Sequence, residues 1–206
     1  YFETSIKKNW EHKAFIDYGG KALTYGAVGT EIYRLHALFE KFQIREGDRI
    51  ALMGRNSANW AIVYLATVSY GAVIVPILPD FTSQDAYHLV NHSESVMFFV
   101  ADQIRDELNL DEMPGLKAVF ALKDFSLIYE KEKNKKQFKK KKQSELLESS
   151  IGPQMTPESF SLKDIENDRL AAIVYTSGTS GFSKGVMLQH NSLAANVRFA
   201  INTLKL

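Results

Sequence analysis

Residues Ala171 to Asn191, AAIVYTSGTSGFSKGVMLQHN, gather more chemistry than any other stretch of this 206-residue chain. An apolar run enters a loop of glycines and hydroxyl side chains, a lysine closes the loop, and an apolar strand is expected to resume at Val186. Gly178 and Gly181 let the backbone take left-handed conformations and approach a ligand closely, so successive N–H groups can converge on an anion. Thr176, Ser177, Thr179, Ser180 and Ser183 add rotatable hydroxyl donors, and Lys184 brings a point charge with three donors. That combination suits a polyphosphate. The spacing is not that of the ordinary phosphate loop G-x-x-x-x-G-K-[ST]: Ser183 stands where glycine would precede the lysine, and Gly185 where Ser or Thr would hold magnesium. A plain turn between two strands is the competing reading. It is disfavoured because such a turn takes about two to five residues and needs no lysine at a fixed place.

The remaining reactive side chains say less. His88 and His92 stand at i, i+4 and could present two ring nitrogens on one helical face, but no third ligand is evident and Asn91 to Ser93 looks like a helix end, so no metal site is expected. His190 falls near the start of the last expected helix, where a structural role is at least as good a reading as a catalytic one. The chain has no cysteine, which removes disulfides, thiolate metal sites and a cysteine nucleophile from consideration and fits a reducing cytoplasm.

The elements that must position the loop follow from hydrophobic spacing. A helix is predicted from near Thr24, with Val28, Ile32, Leu35, Phe39 and Phe42 on one face. Then come a strand over Arg49 to Met53, a helix from about Ala58, a strand Val73 to Val75, a helix opened by Thr82 or Ser83, a strand Val96 to Val100, a short helix after Asp102 and a strand Ala118 to Phe120. Short, wholly apolar strands alternating with helices mean an α/β fold: a mostly parallel sheet flanked by helices. Trp60 to Pro79 is uncharged and long enough to imitate a membrane span, but its pattern changes partway from helix-like to a short β-branched run, Val73 to Val75, so it reads as a buried helix entering a strand.

Charge is uneven. Glu130 to Lys142 holds eight lysines and two glutamates, +6 of a net +1, leaving the rest of the chain at −5. A mildly acidic body with its cations confined to one segment argues against nucleic-acid binding. The expected organisation is an α/β body over 1–129, a lysine-rich surface excursion and linker over 130–168, and a strand, phosphate loop, strand and helix over 169–206. Lys131 to Lys142 is read as a solvated loop in preference to a weak contact with an anionic membrane surface.

The stretch from Tyr175 to Val186 resembles the phosphate-loop signature of the adenylate-forming superfamily, Y-T-S-G-T-T-G-x-P-K-G-V, departing from it at Ser180, which keeps the hydroxyl, and at Ser183, which replaces proline and removes no donor. LTYGAV at Leu23 to Val28, GDRIALMGRNSANW at Gly47 to Trp60 and GAVIVPILP at Gly71 to Pro79 resemble the same family, with the flavour of long-chain fatty acyl-CoA synthetases. The resemblance implies a ligase that makes an acyl-adenylate and pyrophosphate from a fatty acid and MgATP and then transfers the acyl group to coenzyme A; the absence of cysteine and the lysine run add the expectation of a cytoplasmic setting, peripheral to a membrane at most. By the same resemblance Thr176, Ser177, Gly178, Thr179, Ser180, Gly181 and Lys184 bind the nucleotide phosphates. The family's adenine, ribose and magnesium residues, hinge and catalytic C-terminal lysine lie beyond the phosphate loop. The chain is therefore expected to be an incomplete N-terminal portion of the large domain, inactive alone, with no general base, nucleophile or metal ligand assignable. An amino-acid or aryl-acid adenylating enzyme and a non-enzymatic nucleotide-binding α/β module remain as alternatives.

Overall fold

Thr24 shows why the first long helix begins where it does: its hydroxyl accepts the Ala27 N–H at 3.1 Å, satisfying a donor that the first turn leaves free. The computed structural model describes residues 1–131, 155–176 and 184–204. In chain order these form α1 (Phe2–Lys8), β1 (Lys13–Ile16), β2 (Ala22–Thr24), α2 (Tyr25–Lys41), β3 (Arg49–Met53), α3 (Ala58–Tyr70), β4 (Val73–Ile77), α4 (Ser83–His92), β5 (Ser95–Val100), α5 (Asp102–Arg105), a 3-10 turn (Leu110–Glu112), β6 (Ala118–Ala121), β7 (Leu127–Glu130), β8 (Leu170–Thr176), β9 (Lys184–Gln189) and α6 (His190–Leu204).

Among the described residues the main sheet has seven strands in the order β7-β6-β5-β3-β4-β8-β9. The pairs β3–β4, β3–β5, β5–β6 and β4–β8 are parallel, while β6–β7 and β8–β9 are antiparallel, so the centre is parallel and only its flanks reverse. The fold is the expected α/β class. Residue parity divides the core between two faces, as a sheet covered on both sides requires. Ile50, Leu52, Ile74, Phe99, Phe120 and Ala172 pack with Val28, Ile32, Leu35 and Phe39 of α2 and Ile62, Val63 and Ala66 of α3. Ala51, Met53, Val75, Phe98, Val100, Val119 and Tyr175 pack with Ala86, Leu89 and Val90 of α4.

The span-like stretch is α3 running into β4, broken at Gly71, whose left-handed φ of +88° caps the helix. No helix among the described residues is long and apolar enough to cross a membrane. The helix over α2, the strand over β3 and the starts of α3 and α4 stand where the sequence puts them. Beyond α1, β1, β2 and β7, which hydrophobic spacing does not announce, three stretches differ. β4 continues through Pro76 to Ile77, and β9 starts at Lys184, two residues before its apolar run, because the backbone ladder extends past the side chains that announce it. Phe160, in the segment read from sequence as surface excursion, is fully buried, with its ring 6.1 Å from that of Trp10. The Leu162 N–H donates to Glu3 at 2.9 Å, which ties the same segment to α1. Of the lysine run only Lys131 is described, its ammonium donating to the Pro114 carbonyl at 2.6 Å; residues 132–142 lie outside the described residues.

β9 forms one end of the sheet, and it exposes Val186 and Met187. Behind it α6 exposes Val197, Phe199 and Ile201.

Candidate nucleotide phosphate site

β8 runs parallel to β4, so its last residue, Thr176, lies at the carboxyl edge of the parallel sheet. The antiparallel return of β9 pairs Val174 with Val186, Tyr175 with Gly185 and Thr176 with Lys184. Both Thr176 and Lys184 are exposed. Of the sequence-predicted site, then, the structure brings together these two ends. Ser177, Gly178, Thr179, Ser180 and Gly181 lie outside the described residues.

Parity sends Tyr175 to the opposite face from Thr176, toward α4. Its ring covers Gly185, where an added Cβ would stand 3.3 Å from the ring and 3.0 Å from Ile173. Tyr175 is 7% exposed, and burial pushes its phenol above the ordinary range, so the hydroxyl stays protonated. That hydroxyl lies 2.7 Å from Nδ1 of His92. The pair was invisible in the sequence, where His92 drew notice only for its spacing from His88. The two imidazoles do approach, with centroids 5.6 Å apart, yet among the described residues no group of three or more His, Asp or Glu could hold a metal. His190 begins α6 as expected, and its backbone N–H donates to the Arg169 carbonyl at 3.0 Å. Its Nε2 is buried with no hydrogen-bond partner among the described residues, and burial lowers its pKa, which favours the neutral ring.

The same carboxyl edge carries an open cleft of about 800 Å³. β4 and β5 flank β3 on opposite sides, so successive crossovers diverge there, the place where open α/β sheets leave a crevice. Asp17, Asp80, Asp102 and Glu107 line it against the cations of Arg55 and Lys123. Excess carboxylate disfavours a polyphosphate in the cleft itself. Sequence reading missed these residues because they come from separate loops that only the topology gathers.

The family described as AMP-binding enzyme matches residues 2–205. The medium-chain fatty-acid–CoA ligase of Escherichia coli strain K12 is 27% identical over 205 residues, covering 96% of this chain and 34% of the relative. The peroxisomal long chain acyl-CoA synthetase 6 of Arabidopsis thaliana is 31% identical over 179 residues, covering 86% of this chain and 25% of the relative. The crystal structure of apo MatB from Rhodopseudomonas palustris superposes with a TM-score of 0.71 at 21% identity, covering 98% of this chain and 36% of that one, a likeness of fold. The chain thus spans about a third or less of the curated relatives it matches. With a family match running almost end to end and the expected α/β architecture in place, the chain belongs to the AMP-binding enzyme family.

Proposed function

We propose that the protein carrying this chain is an ATP-dependent carboxylate–CoA ligase that activates a fatty acid as its acyl-adenylate and then passes the acyl group to coenzyme A. The observation that carries the reading is the placement of Lys184 opposite Thr176 at the carboxyl edge of the sheet, in a member of the AMP-binding family. Relatives named for medium-chain and long-chain fatty acids favour that acid class.

In the proposed reaction a carboxylate oxygen attacks the α-phosphorus, the bond from that phosphorus to the bridging oxygen breaks, and pyrophosphate leaves with the electron pair. Lys184 and the Thr176 hydroxyl hold the outer phosphates, offsetting charge that grows on the leaving group. Ser177, Gly178, Thr179, Ser180 and Gly181 are proposed to share that work. Magnesium, arriving with ATP, would neutralise phosphate charge when bound. Residues 1–206 alone are proposed not to complete a turnover, and a cytoplasmic setting, with any lipid contact confined to Lys131 to Lys142, is part of the same reading.

The test is exchange of labelled pyrophosphate into ATP by the full-length protein, offered palmitate, shorter fatty acids, aryl acids and amino acids in turn. Fatty-acid-dependent exchange is expected. Exchange with aryl or amino acids only would move the protein to that class of adenylating enzyme, and no exchange with any acid would favour a binding module. The chain of residues 1–206 given MgATP, palmitate and coenzyme A should release no AMP.

A further inference from the structure

We propose that His92 is a positioning residue for the phosphate site, acting through Tyr175 on the strand ends that carry Thr176 and Lys184. The inference rests on the ATP-binding reading above for its consequence, but on geometry for its substance. His92 closes α4, and the ground under it is fixed. A reciprocal Thr82–Asp85 capping box starts the helix, Asn91 donates to the Glu112 carbonyl at 2.7 Å, Arg49 Nε donates to the Ser93 carbonyl at 2.8 Å, and the Ser93 and Ser95 hydroxyls meet at 2.8 Å.

From that platform Nδ1 of His92 reaches the Tyr175 hydroxyl at 2.7 Å, and the two rings meet edge to face at 5.7 Å. A ring tautomer bare at Nδ1 accepts the hydroxyl proton. Tyr175 in turn lies over Gly185 on the partner strand and immediately precedes Thr176. One side chain therefore grips both strands at the point where they open. Without the hydroxyl–imidazole contact the phenol ring can pivot, and the cover over Gly185, which has no side chain to hold its own strand, loosens.

The test uses the full-length protein and His92→Ala, His92→Asn and Tyr175→Phe. Asparagine places a hydrogen-bonding atom where Nδ1 stood. Without nucleotide, amide hydrogen exchange of Val174 to Thr176 and Lys184 to Val186 should quicken about threefold to tenfold in His92→Ala and Tyr175→Phe, the effect of one lost hydrogen bond, and return toward wild type in His92→Asn. Amides of β5 should not change. With MgATP, KM for ATP should rise about threefold to tenfold while kcat stays within about twofold. Unaltered exchange at the strand ends overturns the inference, as does an acceleration spread equally through β5. Wild-type protein that fails to bind MgATP overturns the ATP reading alone, since the exchange pattern still decides whether His92 holds the strands.

Discussion

Thr176 and Lys184 are register partners across β8 and β9, so they leave the ladder on one face of the sheet although seven residues separate them in sequence. Directly opposed residues hold their Cβ atoms about 4.5–5.5 Å apart, within reach of one phosphate group for a hydroxyl and an ammonium. Lys184→Ala in the full-length protein should lower kcat/KM for ATP in pyrophosphate exchange about tenfold to a hundredfold, the worth of one charge-assisted hydrogen bond of about 1.5–3 kcal/mol. Because Lys184 is exposed, thermal stability should move little. Unchanged kinetics would remove it from the site.

His36 ties α2 to α3, its Nε2 2.9 Å from the Ala66 carbonyl and 3.1 Å from the Ser69 hydroxyl. Burial is the larger influence and lowers its pKa to about 4, against a smaller opposing effect of the Ala66 carbonyl. The unfolded chain takes up this proton below about pH 6.5, whereas the folded chain resists until about pH 4. The contribution is therefore complete above pH 6.5 and lost as pH falls toward 4, with a ceiling of about 3 kcal/mol. Urea midpoints should drop across that window in wild type and drop less in His36→Gln, which keeps a donor but no titration. Parallel curves for the two proteins would count against the assignment.

Phe160 is expected to matter far more than its polar neighbours suggest. Its ring packs against Trp10 and lies where an added Cβ on Gly29 would come within 3.3 Å. Phe160→Ala should cost about 3–5 kcal/mol, and Phe160→Leu much less, by urea unfolding with an unchanged slope. A loss below about 1 kcal/mol in the alanine variant would mean that the segment contributes little to the core.

Residues 133–142 carry the opposite expectation. Their composition offers little to pack, and removing them leaves the Lys131 contact with Pro114 in place. Deletion should shift Tm by no more than a few degrees, since closure entropy changes only slowly with loop length. A collapse of the transition would show that those lysines have partners in the fold.

What the sequence announced and what it hid have physical causes. α2 was legible because one face is wholly buried, which forces Val28, Ile32, Leu35 and Phe39 into helical spacing, and β3 and β5 because strands covered on both faces must be continuously apolar. α1 was not, since Ile6 is its one buried residue and sets no period. β7 was masked by its brevity and by the charge run that begins at its last residue. Phe160 was hidden for the same kind of reason, a lone aromatic between two serines. In the proposed site, Thr176 and Lys184 are singled out by side-chain chemistry, and the structure shows them to be register partners. His92 meets Tyr175 across 83 residues of sequence, and only the order of the strands and the α4 crossover create that contact.

β9 has a further consequence, for solubility. One side of its backbone carries no neighbouring strand among the described residues, and Val186 and Met187 stand exposed along it without a charge between them. An edge of that kind is a template for another extended chain. Residues 1–206 prepared by themselves should self-associate in proportion to concentration, giving light-scattering masses that climb and a β-rich spectrum that persists as particles grow. Met187→Lys, which puts a charge on the open edge without touching Thr176, Lys184 or Tyr175, should suppress that growth and leave the unfolding transition nearly where it was.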